Sequence, residues 1–331
     1  MFLKTRAAIL AVALTLGVSP MALAPTPASA TERLKIGTPT PPPHIFTKAG
    51  EHLATALKET SGGAYLAKVH PSNTLGDAPT MISLLQSGAL ELAILPAGDL
   101  ARREESFLGW FLPYTFPTLA EAGRAAKTPA AREMLARLDD EGVVGLGYVF
   151  PGQRHLLSTF PVTAPADLVN KKVRAFPNEI FKDWWLAVGA APTALPLPDI
   201  AQALTTGVID AVDVDLDIIV GLKLHKQAPY LTLTDHMAFP GLILASKSWW
   251  DGLSAEDQDR IRALTAETET WALDTQLAKE DANLEALKAD GVTVTEPDLD
   301  AFKAVGARVT EKYVALNPLI ARFHDEALAA R

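Results

Sequence analysis

The chain has 331 residues, 39 acidic against 30 basic side chains for a formal charge of −9, seven histidines and no cysteine. The missing cysteine excludes disulfides, thiol nucleophiles, iron–sulfur clusters and Cys-ligated zinc, and the acidic balance argues against a nucleic-acid partner. A hydrophobic content of 48% with 21% charged residues is globular, and this length suits two lobes, each with its own core.

Lys4 and Arg6 precede an almost wholly apolar stretch, 7–18, and residues 28–30 read Ala-Ser-Ala. A basic start, a short apolar run and a small-x-small site make an export leader cut near Ala30. Ala22-Leu23-Ala24 offers an earlier cut. Losing the first thirty residues removes two bases and no acids, so −9 becomes −11. The expected product is an exported protein.

After the leader, 34–37 is a short strand and Pro39, Pro41, Pro42 and Pro43 form a stiff loop, because proline fits neither helix interior nor central strand. Residues 44–58 have helical spacing, Ser61-Gly62-Gly63 stops the helix, and 65–69 alternates as a strand. Strand, helix, strand opens an α/β lobe. Two later stretches, 81–95 and 200–214, each read helix, glycine, strand, with Gly88 and Gly207 as the stops. Glycine suits the left-handed position after a helix. The pair raises two alternatives: a pattern common to α/β chains, or two similar lobes holding a ligand beyond their strand ends. Ser254, with Glu256 and Asp257 behind it, caps a helical pattern over 255–289. Its 35 residues span about 50 Å at 1.5 Å per residue, enough to lie across two lobes. A strand at 292–294 and helices at 301–314 and 319–329 close the chain.

Motifs of common enzyme classes are absent: no P-loop, no G-x-S-x-G, no H-E-x-x-H, and Gly145 and Gly147 lack the third glycine of a dinucleotide loop. His44 and His52 stand two turns apart, too far to share a metal. No metal, cofactor or catalytic residue is expected.

Four segments then stand out: 70–76 (HPSNTLG), 152–158 (GQRHLLS), 167–177 (DLVNKKVRAFP) and 203–211 (ALTTGVIDA), with 246–258 in support. In order and spacing they resemble the substrate-binding proteins of tripartite ATP-independent periplasmic (TRAP) transporters, the C4-dicarboxylate-binding-like family. The resemblance runs over nearly the whole chain after the leader. It implies an α/β, two-lobed periplasmic binding protein of type II-like build, with hinge strands and a long helix spanning both lobes. It also implies a monomer in the periplasm that closes on a small organic acid and passes it to a small and a large membrane subunit. Lobe one would comprise 31–150 and 240–278, and lobe two 151–239 and 279–331. The rival readings are the binding protein of an ATP-driven importer, a sensory receptor ectodomain and an exported enzyme.

On this resemblance Arg174 matches the family's carboxylate-binding arginine, whose planar fork gives two parallel charge-assisted bonds; a structural arginine paired with a nearby acid is the alternative. Arg154 matches its second pocket arginine, with a hinge salt bridge as the alternative. Where many relatives carry Gln-Glu-Asn, this chain has Val212-Asp213-Val214. That departure puts a plain dicarboxylate ligand in doubt and suggests a hydroxylated one. Strand alternation would place Asp213, Asp215 and Asp217 on one face, where Asp213 or Asp215 accepts from ligand hydroxyls or an ammonium; a solvated strand end and a calcium site are the alternatives. Leu197 stands where relatives often place an aromatic, and Phe176, Phe239 or Trp184 would supply the wall instead. His44 is a further pocket candidate, His236 a weaker one, and Ala97 and Gly98 are candidates for backbone amides.

Overall fold

The computed structural model describes residues 31–331; the expected leader, 1–30, lies outside the described residues. Among the described residues eleven strands make two mixed sheets. In chain order the strands are β1 (Glu32–Gly37), β2 (Tyr65–His70), β3 (Leu92–Pro96), β4 (Val143–Val149), β5 (His155–Ser158), β6 (Lys172–Ala175), β7 (Ala191–Ala194), β8 (Ala211–Val214), β9 (Tyr230–Thr232), β10 (Gly241–Ser246) and β11 (Thr293–Thr295). The first sheet runs β2-β1-β3-β10-β4 and the second β11-β9-β5-β8-β6-β7.

The two sheets repeat one plan. In the first, β1 pairs in parallel with β2 and β3, and β10 lies antiparallel to β3 and β4. In the second, β6 pairs in parallel with β7 and β8, and β5 lies antiparallel to β8 and β9. The repeated helix–glycine–strand stretches feed the matching strands, β3 and β8. Their stops, Gly88 at φ 76° and Gly207 at φ 68°, hold the left-handed backbone that a β-carbon disfavours. Of the two alternatives read from the sequence, the similar-lobe one describes the topology.

The chain crosses between the sheets after β4 and before β10, and the two crossings run side by side. Arg154 N–H donates to Met237 O at 2.8 Å, and Gln153 bridges Ala238. Gly152 sits at φ 120° in the first crossing, and a β-carbon there would meet Glu280 Oε1 at 2.7 Å.

The helix Ala255–Ala289 spans both halves as expected, with Ser254 Oγ accepting from Asp257 N–H at 3.1 Å as its cap. Its Ile261, Leu264 and Ala272 join the large core against the first sheet. Its Leu287 joins a second cluster with Leu157, Val212 and Leu231. Between them, Gln276 Nε2 donates to Pro151 O at 2.8 Å, tying the helix to the crossing. The C-terminal segment divides: Gly306 of helix Leu299–Leu316 packs near Trp184, while Phe323 of helix Pro318–Ala329 lies 4.5 Å from Trp110 on the first sheet's side. Among the described residues no helix is long and apolar enough to cross a membrane.

Glu280 on the long helix has its carboxyl pushed up to about 7, by burial first and then by Asp235 and Asp215, against a bond from Gln153 N–H. A carboxyl that holds its proton more tightly when folded loses stability as pH rises from its unfolded value, near 4.5, through its folded one. Glu280→Gln is therefore expected to flatten the fall in urea-unfolding stability between pH 4.5 and 7, by up to about 3 kcal/mol before solvent screening. An unchanged pH profile would reject this.

Candidate functional site

A cavity of about 220 Å³ lies between the sheets, lined from the first by His44, Asn73 and Asp99 and from the second by Arg154, Arg174, Phe176 and Asp215, with Phe239 at the second crossing. Most of these groups follow the C-terminal ends of strands. That is where α/β sheets leave their backbone groups and loops free for ligands.

Arg174 sits on β6, opposite Thr193 of β7 and Val212 of β8. It is buried, at 3% exposure. Its Nε donates to Leu195 O at 3.0 Å, which orients the fork. Among the described residues neither terminal nitrogen has a hydrogen-bond acceptor, and no carboxylate forms an ion pair with it. Desolvation pulls its pKa down to about 9, and the like charge of Arg154 adds to the shift. Phe176 supplies a ring 5.9 Å from its guanidinium carbon.

Arg154 reaches the same cavity but is already committed. Its Nε bonds Asp213 Oδ1 at 2.5 Å, its Nη2 bonds the Asp213 carbonyl, and its Nη1 lies 3.7 Å from Asp215. The Phe239 ring sits 4.3 Å from its guanidinium carbon. Of the two arginines singled out by resemblance, one is held by protein anions and one is free.

Asp213 does not line the cavity. Its carboxylate accepts from Arg154, from Trp185 Nε1 at 3.0 Å and from His236 Nε2 at 3.2 Å. Burial alone would raise its pKa, but the Arg154 charge and the bonds from Arg154 and His236 outweigh that and hold it far below the ordinary carboxylate range. The expectation that Asp213 meets the ligand is thus corrected: both of its carboxylate oxygens accept from protein donors, and the residue does not line the cavity. His236, too, is buried in this network and stacks on Trp184, so neither ring forms the cavity wall.

The three aspartates do not share a strand face, because β8 ends at Val214. Asp215 caps the helix Leu216–Leu222, accepting from Ile218 N–H at 2.9 Å, and Asp217 lies in its first turn. Alternation stops where the helix starts. Asp217 accepts from Ile45 N–H at 3.0 Å and from Asn283 at 2.8 Å and forms an ion pair with Lys279 at 2.5 Å, joining the first helix to the long one. Asp215 does border the cavity, but His44, Arg154 and the Ile218 N–H compensate its burial and lower its pKa. None of the three is solvated. Among the described residues no group of three or more His, Asp or Glu is placed to hold a metal.

His44 is both a cap and a cavity residue. Its Nδ1 accepts from Phe46 N–H at 3.1 Å, opening the helix Ile45–Thr60. Its Nε2 therefore carries the proton and faces Asp215 Oδ1 at 3.7 Å. Phe176 and Phe239 line the cavity with rings 5.2 Å apart, and Leu197 lines it as well. The Ala97 amide is not offered to a ligand, because it donates to Pro240 O at 2.9 Å. Gly98 serves as a contact point between halves: Asn178 Nδ2 donates to its carbonyl at 3.0 Å, and a β-carbon there would lie 2.7 Å from Phe176.

Of the polar residues lining the cavity, Thr40, Asn73, Asp77 and Asp99 were not among the sequence candidates. Asn73 lay inside a quoted motif, and its positive φ of 58° fits asparagine's tolerance for that backbone. Asp99 follows β3 by three residues, and the strand-end rule could have reached it. A second cavity, lined in part by Arg102, Arg103 and Lys182, shares Phe176, Pro177 and Ala194 with the first. It places positive charge beside the site in an acidic chain.

Residues 36–316 match the family model for bacterial extracellular solute-binding protein, family 7. The chain is 30% identical to the ectoine/5-hydroxyectoine-binding periplasmic protein UehA of Ruegeria pomeroyi, over 75% of this chain and 76% of that one. It is 28% identical to the ectoine-binding periplasmic protein TeaA of Halomonas elongata, over 76% of each. Among solved structures it is similar to a TRAP periplasmic solute-binding protein from Pseudomonas putida F1 with bound D-glucuronate. That match has a TM-score of 0.84 and 26% identity, covering 88% of this chain and 96% of the other.

Proposed function

Because the chain belongs to family 7 of the bacterial extracellular solute-binding proteins, we propose that it captures a small organic acid in the cavity between its sheets. The ligand carboxylate docks on Arg174, the halves close over it, and the loaded protein delivers it to the TRAP membrane subunits. The observation that carries this is the buried Arg174 fork with two nitrogens lacking protein acceptors. A buried cation without a partner is costly, and a carboxylate matches its geometry. Relatives that bind ectoine and D-glucuronate support a small, polar ligand.

The reading is of binding without chemistry, by an exported monomer whose leader is cut near Ala30. The lobes divide at 31–150 with 240–278, and 151–239 with 279–331, except that the last helix leans on the first lobe. Phe176, Phe239 and His44 shape the site; Arg154 and Asp215 hold its floor.

A thermal-shift panel of organic acids, sugar acids and zwitterions tests it. A ligand at a hundredfold its Kd stabilises by about 2.7 kcal/mol, a shift of several degrees. The best hits should then shrink the radius of gyration in small-angle scattering. A panel in which no acid shifts the melting point, or saturation with no compaction, would count against the proposal.

A further inference from the structure

The cavity is polarised, and the polarity says what else the ligand carries. Its donors are few. Six of its lining residues are prolines, Pro39, Pro79, Pro96, Pro177, Pro196 and Pro198, none with an N–H to give. Arg154 gives Nε and Nη2 to Asp213 and holds Nη1 within ion-pair distance of Asp215, at 3.7 Å, and His44 Nε2 faces Asp215. That leaves Arg174 as the one cation without a carboxylate partner among the described residues of the cavity.

Acceptors, by contrast, are left over. Asn73 Oδ1 is buried with no donor, in the loop after β2. Asp99 lines the cavity just after β3, and among the described residues its carboxyl has neither a hydrogen bond nor an ion pair. Burial raises it to about 7 despite the nearby Arg102 and Arg174. Asp99 is half-buried, so its carboxyl has lost part of its solvation without gaining a protein donor, and a ligand donor would make that good. Among the described residues lining the cavity, a second ligand carboxylate would find no further cation free of a protein carboxylate and would face Asp99 on the first-sheet wall; Arg102 lies near Asp99 but lines the neighbouring cavity.

Resting on the carboxylate-capture reading above, we infer that Asp99 and Asn73 are specificity residues that select a zwitterion, one carboxylate on Arg174 and one nitrogen-borne cationic donor on the first-sheet wall. Asp99 supplies the countercharge and Asn73 Oδ1 a further acceptor. A hydroxyl satisfies the acceptors without the charge, so hydroxy acids bind more weakly. Diacids are rejected by like-charge contact.

Matched straight-chain compounds test this, because only the far group changes. The probes are 4-aminobutyrate, 4-hydroxybutyrate and succinate, with the five-carbon set 5-aminovalerate, 5-hydroxyvalerate and glutarate. Calorimetric titration of the full mature protein gives each Kd. In the wild type the amino acid of at least one set should bind tenfold or more tighter than its diacid, with the hydroxy acid between. Asp99→Asn should remove at least tenfold of that preference, mostly by weakening the amino acid. Asn73→Ala should weaken both donors by a smaller factor. Circular dichroism and melting curves check that the variants fold.

Diacids that bind as well as or better than amino acids, or an Asp99→Asn variant with an unchanged ratio, would overturn the inference. So would a complete lack of binding by all six at 10 mM. Dependence of every bound compound on Arg174 would still uphold the carboxylate reading. Binding that survives Arg174→Ala would instead overturn that reading.

Discussion

Arg174→Ala is expected to lower the affinity for a carboxylate ligand by about 3–5 kcal/mol, roughly two to three and a half orders of magnitude in Kd. The ligand carboxylate would be left desolvated, since Arg154 is already paired with Asp213 and cannot take over. Arg174→Lys should recover little, because an ammonium cannot give two parallel bonds. The same substitution has an opposite expected sign for the empty protein. Arg174 is buried with its terminal nitrogens lacking acceptors, and desolvation already lowers its pKa to about 9. Arg174→Met, which keeps the apolar stem, should leave unliganded stability unchanged or higher while removing the ligand-induced melting shift. Calorimetry of binding and of unfolding on one sample checks both. A variant that binds normally would sink the assignment; one that merely unfolds would show a structural arginine.

Asp213→Ala should produce the reverse pattern, a large loss of stability with binding affected only through the fold. The substitution strips Arg154 of its close carboxylate and leaves Trp185 Nε1 and His236 Nε2 without their acceptor. Breaking one side of a buried ion pair costs about 3–5 kcal/mol, here a fall in melting temperature on the order of 10 °C. Asp213→Asn keeps the shape and one acceptor and should cost less. The pH dependence has a definite sign. Asp213 has a lowered folded pKa, so its contribution is present above the unfolded carboxylate value, near 3.8, and is lost as pH falls below it. Urea unfolding at pH 7 and pH 3 reads both. A melting point within 2 °C of wild type would show that Asp215 suffices for Arg154.

Elements set by local chemistry were legible. The Ser254 cap and the length of the helix from 255 to 289 agree with the structure, because capping acts within one turn. Gly88 and Gly207 were readable for the same reason, since a left-handed residue after a helix is a local demand. The acidic run was not. Asp213, Asp215 and Asp217 looked like one strand face, but Asp215 accepts from the Ile218 N–H and starts a helix instead. Their partners come from far along the chain: Asp217 bonds Ile45 and Asn283, and Asp213 bonds Arg154 and His236. Asp99 carries no motif at all, and only the closing of the cavity around it makes its carboxyl unusual.

By itself the sequence determined the strand–helix–strand opening, the two helix–glycine–strand stretches and the long helix, the leader-like start, the resemblance that implied a two-lobed binder, and Arg154 and Arg174 as the cations to watch. The resemblance put Arg174 first and left a hinge salt bridge as the alternative for Arg154, but it could not show which partners each would meet. Tertiary structure made the choice. Antiparallel pairing of β5 with β8 sets Leu156 opposite Asp213 and brings the Asp213 carboxylate to Arg154 two residues earlier. Parallel pairing of β6 with β7 gives Arg174 only the Leu195 carbonyl. A charge taken out of water must find a countercharge in whatever the fold brings beside it. Arg154 finds one in the protein, and Arg174 is left to find its own in a ligand.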